Sequence, residues 1–138
     1  MAGSAAAGKV QTLTEGPRVG VVGPCGAGKS TLVTGLRRRG IDAREIAQEH
    51  SYVPTMWRRI TRPDVLIYLD VSREEAERRL RRSLPKGWWE EILQRLSHAR
   101  SHADLVVPTD DRTPGEVLEN VLSFLREHHR DTEDTEGS

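Results

Sequence analysis

The chain has 138 residues, of which 36% are hydrophobic, and its 21 Lys and Arg are balanced by 21 Asp and Glu. This length suffices for one domain of ordinary size, and the zero formal charge argues against a protein that coats nucleic acid. No apolar run approaches the roughly 20 residues of a membrane span, and no signal peptide is recognisable. A single cysteine, Cys25, agrees with a reducing compartment. We therefore expect a cytoplasmic protein without a membrane or nucleic-acid partner.

The two ends of the chain are polar and lack apolar periodicity. Such segments cannot bury enough apolar surface to offset the entropy of ordering them. We expect residues 1–16 to form a flexible leader and residues 128–138 to form a disordered tail. A single folded domain over residues 17–127 remains.

Strand and helix signals alternate through this domain. The pattern predicts strands over 18–22, 41–47, 64–70 and 103–107, and helices over 29–39, 53–60, from Ser72, over 88–100 and from Pro114. Two capping boxes, Ser72 with Glu75 and Thr113 with Glu116, mark helix starts. Alternating strands and helices favour right-handed crossovers and parallel pairing. The predicted fold is an α/β/α sandwich with three layers and a mostly parallel sheet of about four strands.

The strongest motif lies between the first predicted strand and the first predicted helix. Residues 23–30, Gly-Pro-Cys-Gly-Ala-Gly-Lys-Ser, match the phosphate-binding pattern G-x-x-x-x-G-K-[ST] in full. Its glycines permit positive φ, so that successive N–H groups turn inward around a phosphate, and the following helix adds its positive dipole end. We expect Lys29 to reach the β- and γ-phosphates and Ser30 to ligate Mg²⁺. The residues expected to bind the nucleotide are Gly23, Cys25, Gly26, Ala27, Gly28, Lys29, Ser30 and Thr31.

Magnesium–nucleotide chemistry also needs a carboxylate near the metal, and two positions qualify. Glu49 follows the strand predicted over 41–47, which brings it to the catalytic edge if that strand pairs beside the first one. There it can order a metal-bound water or act as a base, with His50 as its neighbour. Asp70 ends the apolar run before it and is either a metal ligand or a partner of the next helix dipole. Both assignments stay open.

Three segments resemble the small P-loop kinases of the nucleoside monophosphate kinase-like group. They are Gly-Pro-Cys-Gly-Ala-Gly-Lys-Ser-Thr-Leu over 23–32, the strand and arginine-rich helix over 63–80, and Ala-Asp-Leu-Val-Val-Pro-Thr-Asp over 103–110. The resemblance implies a P-loop NTPase fold that binds ATP and Mg²⁺. It also implies that Arg78 and Arg82 clamp the transferring phosphoryl group, and that the loop over 109–113 holds the adenine.

One part of that family's pattern is missing. Only about 16 residues separate the second predicted strand from the third, too few for the extra strand and the acceptor-binding insertion of those kinases. No N-K-x-D element for reading guanine is present, which favours ATP over GTP.

Two functions are therefore expected. One is an ATP-dependent phosphotransferase that acts on an unknown small molecule through Lys29, Glu49, Arg78 and Arg82. The other is a nucleotide-dependent switch or slow NTPase that signals to a protein partner.

Overall fold

The computed structural model describes residues 16–137, with side chains described from residue 16 to residue 127. The strands are β1 (Arg18–Val22), β2 (Asp42–Glu45), β3 (Val65–Asp70) and β4 (Leu105–Pro108). The helices are α1 (Lys29–Arg37), α2 (Met56–Ile60), α3 (Arg73–Leu80), α4 (Trp88–His102) and α5 (Pro114–Gly137), and a 3₁₀ turn covers Gln48–His50. The expected leader lies outside the described residues apart from Gly16. Helix α5 runs past the predicted domain end at residue 127, and the expected disorder of residues 128–138 stays a prediction.

All four strands are parallel and form one sheet in the order β2-β1-β3-β4. This confirms the predicted α/β class and the parallel sheet. Strand β2 pairs directly with β1, with Val21 opposite Glu45, as the position of Glu49 required. The central strands are apolar because both of their faces are covered, and Val65–Leu69 is buried throughout.

Helices cover both faces of the sheet. One hydrophobic cluster joins Val21 and Ile67 to apolar side chains of α1, α3 and α5. A second cluster, on the opposite face, joins Tyr68 to Trp57 of α2 and to Ile92 and Leu96 of α4. This arrangement is consistent with three layers. No helix within the described part of the chain combines the length and the apolar character needed to cross a membrane.

The two predicted capping boxes have different outcomes. At Thr113 the box is complete, because Thr113 Oγ1 accepts the N–H of Glu116 at 3.1 Å and the Glu116 carboxylate accepts the N–H of Thr113 at 2.8 Å. At Ser72 only half of it forms: Ser72 Oγ accepts the N–H of Glu75 at 3.2 Å, but the Ser72 N–H donates to Asp110 at 2.9 Å. The Glu75 carboxylate pairs instead with two arginines of its own helix, which bind an ionised oxygen more strongly than a neutral amide does.

Parallel pairing places the carboxyl ends of all four strands at one edge of the sheet. The segments that leave this edge are the glycine-rich loop over 23–28, the 3₁₀ turn over 48–50, residues 71–72 between β3 and α3, and the loop over 109–113. The predicted site residues therefore approach one another although they are far apart in sequence.

Candidate functional site

The glycine-rich loop leaves the start of α1 open. A Cβ on Gly23 would lie 2.4 Å from the Leu69 carbonyl oxygen, so the close passage of the loop over β3 requires glycine there. Gly28 is the N-cap residue with φ 94°, and no side chain in the described part of the chain caps the helix. The first backbone hydrogen bond of the helix is from Leu32 N–H to Gly28 O, at 3.1 Å. The N–H groups of the first turn precede that bond, so they remain available to an anion.

Lys29 and Glu49 form a buried ion pair at the floor of this loop. Lys29 Nζ donates to Glu49 Oε2 at 2.8 Å, to Gly23 O at 2.7 Å and to Pro24 O at 3.3 Å. Both side chains are only 5% exposed. Among the described residues, the second carboxylate oxygen, Glu49 Oε1, has no hydrogen-bond partner. An unsatisfied buried carboxylate oxygen is costly and therefore marks a place for a ligand or a proton.

The 3₁₀ turn that carries Glu49 is held from two sides. Gln48 is fully buried, and its amide donates to Val53 O at 2.9 Å while its Oε1 accepts the N–H of Trp57 at 2.9 Å. From α4, Arg95 Nη1 donates to the Glu49 carbonyl oxygen at 3.1 Å. The backbone of Glu49 is thus fixed, which aims its side chain at Lys29.

A cavity of about 690 Å³ opens over the loop, bordered by α3, by β2 and its turn, and by residues 109–117. The sequence-predicted residues that line it are Cys25, Gly26, Ala27, Gly28, Lys29, Ser30, Thr31, Glu49 and Arg78. Its other charged residues, which the sequence analysis did not name individually as site residues, are Glu45, Glu75, Arg79, Asp110 and Arg112. Gly23 contributes through its carbonyl contact with Lys29. Arg82 is exposed, and although burial raises the pKa of Cys25, the positive charge of Arg82 acts to lower that pKa by a smaller amount.

Arg79 holds two walls of this cavity together, and sequence reasoning missed it in favour of Arg78. Its guanidinium donates to Gly26 O at 3.0 Å and to Thr109 O at 2.7 Å, and it pairs with Glu75 at 2.9 Å. Arg78 also pairs with Glu75, but its side chain is 73% exposed. The i, i+4 spacing of Glu75 and Arg79 was the available signal, because such a pair shares one helix face.

The structure places Asp70 apart from Lys29. Side chains alternate along a strand, so Asp70 lies on the Tyr68 face of β3, where its carboxylate is 3.5 Å from Arg100 Nη2. Burial, helped by the charge of Asp70, raises the pKa of Tyr68 to about 12. Of the two candidate carboxylates, the structure brings only Glu49 together with Lys29.

His98 and His102, which have the spacing of a zinc pair, form a different contact. Their rings stack with centroids 4.2 Å apart, and the Trp57 Nε1–H group donates to His98 Nδ1 at 3.1 Å. That nitrogen is occupied as an acceptor. Within the described part of the chain, the potential metal ligands that lie close together are instead one group of three: Cys25, Glu49 and His50.

Comparison of this chain with protein-family models and with curated proteins finds no match. Its function is therefore inferred from the loop, the buried ion pair and the cavity.

The buried pair should show strong energetic coupling. Lys29→Met or Glu49→Gln alone leaves one charge buried without a partner, so each should lower the free energy of unfolding by about 3 kcal/mol. The double variant should lose less unfolding free energy than the two single variants lose together. The coupling energy should be about 2 kcal/mol in a double-mutant cycle measured by urea unfolding. The exposed pair Arg39 and Glu119, whose charged atoms are 4.0 Å apart, is the control and should couple by less than about 0.5 kcal/mol. Equal coupling in both cycles would contradict the buried pair.

The contact between Trp57 and His98 should make stability depend on pH. Burial lowers the pKa of His98 below its ordinary value of 6.5, and the neighbouring His102 and Arg58 lower it further. The unfolded chain then binds the proton more readily, so this stabilisation is complete above pH about 6.5 and is lost as the pH falls through the folded pKa. When the pH is lowered from about 7.5 to about 5, the free energy of urea unfolding should fall less for His98→Asn than for the wild type. Parallel declines would refute this role of His98.

Proposed function

We propose that residues 23–30 form a P-loop in a P-loop NTPase fold and bind the triphosphate of ATP. The observation that carries this proposal is the buried Lys29–Glu49 pair beside an uncapped helix start, at the floor of a cavity of about 690 Å³. Phosphate oxygens are suited to this place because they accept from helix N–H groups and from an ammonium group together.

The residues around the loop are suited to Mg²⁺ as well. Ser30 lines the cavity and is exposed, and Glu49 Oε1 is a carboxylate oxygen without a partner among the described residues. Hard oxygen donors of this kind are the ligands that Mg²⁺ takes in nucleotide sites. Ser30 would hold the ion directly and Glu49 would hold it through a bound water, and the ion would neutralise charge on the phosphates.

The loop over 109–113 supplies the remaining wall for the adenosine. Thr109 is buried and is bound by Arg79, whereas Asp110 and Arg112 are exposed and line the cavity. The absence of a guanine-reading element in the sequence favours adenine.

We propose a phosphotransferase reaction in which an oxygen of a small hydroxyl- or phosphate-bearing acceptor bonds to the γ-phosphorus of ATP, while the bond from that phosphorus to the bridging oxygen breaks and ADP leaves. Lys29 and Arg78, which line the cavity, offset the charge of the moving phosphoryl group, and Arg82, two residues beyond the end of α3, would assist them from outside the lining. Glu49 Oε1 accepts the proton of the attacking hydroxyl, because it has no partner among the described residues while Oε2 stays on Lys29.

Two variants separate nucleotide binding from turnover. The double variant Lys29→Met with Glu49→Gln removes both buried charges together, so it should fold, and it should lose ATP affinity by at least about 100-fold in calorimetry because the phosphate loses its ammonium partner. Glu49→Gln alone should still bind ATP with magnesium but should lose turnover by about 100-fold in an assay with a panel of acceptors, since the proton acceptor is gone.

Arg39→Ala, two residues beyond the C-terminal end of α1, is the matched control and should leave ATP binding unchanged. If the folded double variant binds ATP as tightly as the wild type does, the proposed nucleotide site is wrong. Binding without turnover on any acceptor would leave the switch as the remaining function.

An exposed apolar surface favours that second function. Tyr52 is 82% exposed, Ile60 is 74% exposed and Val53 is 45% exposed, all in the segment that follows Glu49. Where such side chains form one contiguous patch, they are typical of a surface that a protein partner covers. Hydrogen bonds of Glu49 to Lys29 and of Gln48 to Val53 connect this segment to the glycine-rich loop. A change of nucleotide at the loop can therefore shift the exposed apolar side chains.

A switch should protect residues 48–62 differently in its two states. We expect slower amide hydrogen exchange there with an ATP analogue than with ADP, because phosphate contact with Lys29 alters the hold on Glu49. The core strand Val65–Asp70 is the internal control and should exchange equally in both states. Identical exchange across 48–62 would exclude the switch.

A further inference from the structure

Three side chains of different chemistry meet at the edge of the glycine-rich loop. The ligand atoms of Cys25, Glu49 and His50 all lie within 4.8 Å of one another, and His50 Nε2 is 3.8 Å from Glu49 Oε2. Cys25 comes from the loop, and the other two come from the 3₁₀ turn. A thiol, an imidazole and a carboxylate form a donor set of mixed softness, which suits zinc and cobalt rather than magnesium.

The spacing is close to that of a bound ion. Donors of a tetrahedral zinc site, at about 2.0–2.3 Å from the metal, lie about 3.3–3.7 Å from one another. No separation here exceeds this range by more than about 1.5 Å. His50 has a side chain that is 59% exposed and free to rotate, so it can close the gap without disturbing the core.

The buried carboxylate supplies an independent indication of a ligand. Glu49 is 95% buried, and its Oε1 has no hydrogen-bond partner among the described residues, whereas Oε2 is already bonded to Lys29. His50 Nε2 lies near Oε2, the oxygen that Lys29 holds, so a cation at the carboxylate would share Oε2 with Lys29 or use the unpartnered Oε1.

We propose that Cys25, Glu49 and His50 form a binding site for one divalent cation of the zinc class. Three protein ligands leave the fourth position open, as in zinc sites that take water or an external anion. The thiolate and the carboxylate neutralise the ion, and Lys29 leaves the surroundings net positive, so an anionic fourth ligand such as a phosphate oxygen fits best. The site does not depend on nucleotide binding.

The thiol must lose its proton to bind the ion. Burial raises the pKa of Cys25 above its ordinary value of 9.0, and the charge of Glu49 raises it further. Binding of the ion releases this proton.

Cobalt(II) added to the full chain without nucleotide tests the site directly. Cys25 is the only cysteine in the sequence, so a near-ultraviolet thiolate-to-cobalt charge-transfer band can come from no other residue. We expect this band to saturate at one ion per chain and zinc to displace the cobalt. Cys25→Ser should abolish the band, and His50→Gln should weaken binding by more than the roughly 10–100-fold that loss of an outer-shell partner costs.

His102→Asn, which alters an exposed histidine outside the cluster, is the matched control and should bind cobalt like the wild type. No charge-transfer band in the folded wild type, or saturation at one ion per two chains, would overturn the site. A His50→Gln variant with unchanged affinity would also overturn it. Titration with ATP and magnesium on the same samples reports the nucleotide site separately.

Discussion

The buried ion pair between Lys29 and Glu49 is the interaction on which the rest of the site depends. An ammonium group that is 95% buried is stable only with a negative partner in contact, and no neighbour in sequence supplies one. Strand β2 delivers the partner because it lies directly beside β1. A strand inserted between them would move the 3₁₀ turn outward by about 4.8 Å, beyond contact of its carboxylate with Lys29. The short connection from β2 to β3 leaves no room for such a strand, and it therefore keeps Glu49 in contact with Lys29.

Polar side chains then hold the surrounding loops in register. Gln48 binds two backbone groups of the following segment, and Arg95 binds the carbonyl oxygen of Glu49. On the other side, Arg79 joins the glycine-rich loop to Thr109. These contacts fix the cavity walls before any ligand arrives, which reduces the entropy lost on binding.

Glu49 Oε1 is the one group that every chemical proposal for this cavity uses. In the proposals above, it accepts a proton, approaches Mg²⁺ or helps to bind a zinc-class ion with Cys25 and His50. One oxygen cannot serve a proton and a directly bound cation at the same time. Occupation by a zinc-class ion would therefore exclude general-base chemistry at Glu49, and the thiol and imidazole decide which cation is preferred.

The sequence by itself determined the order of the main strands and helices and the glycine-rich motif over 23–30, because apolar periodicity, glycines and the Thr113 cap are local signals that neighbouring residues carry. It left both Glu49 and Asp70 open as the acidic residue of the site and pointed to Arg78 where Arg79 makes the contacts that join the loops. Only the tertiary structure separated these, since strand order decides which turn meets Lys29, and the alternation of side chains turns Asp70 toward Arg100. Strand order and facing arise from contacts between distant residues, which no local pattern encodes.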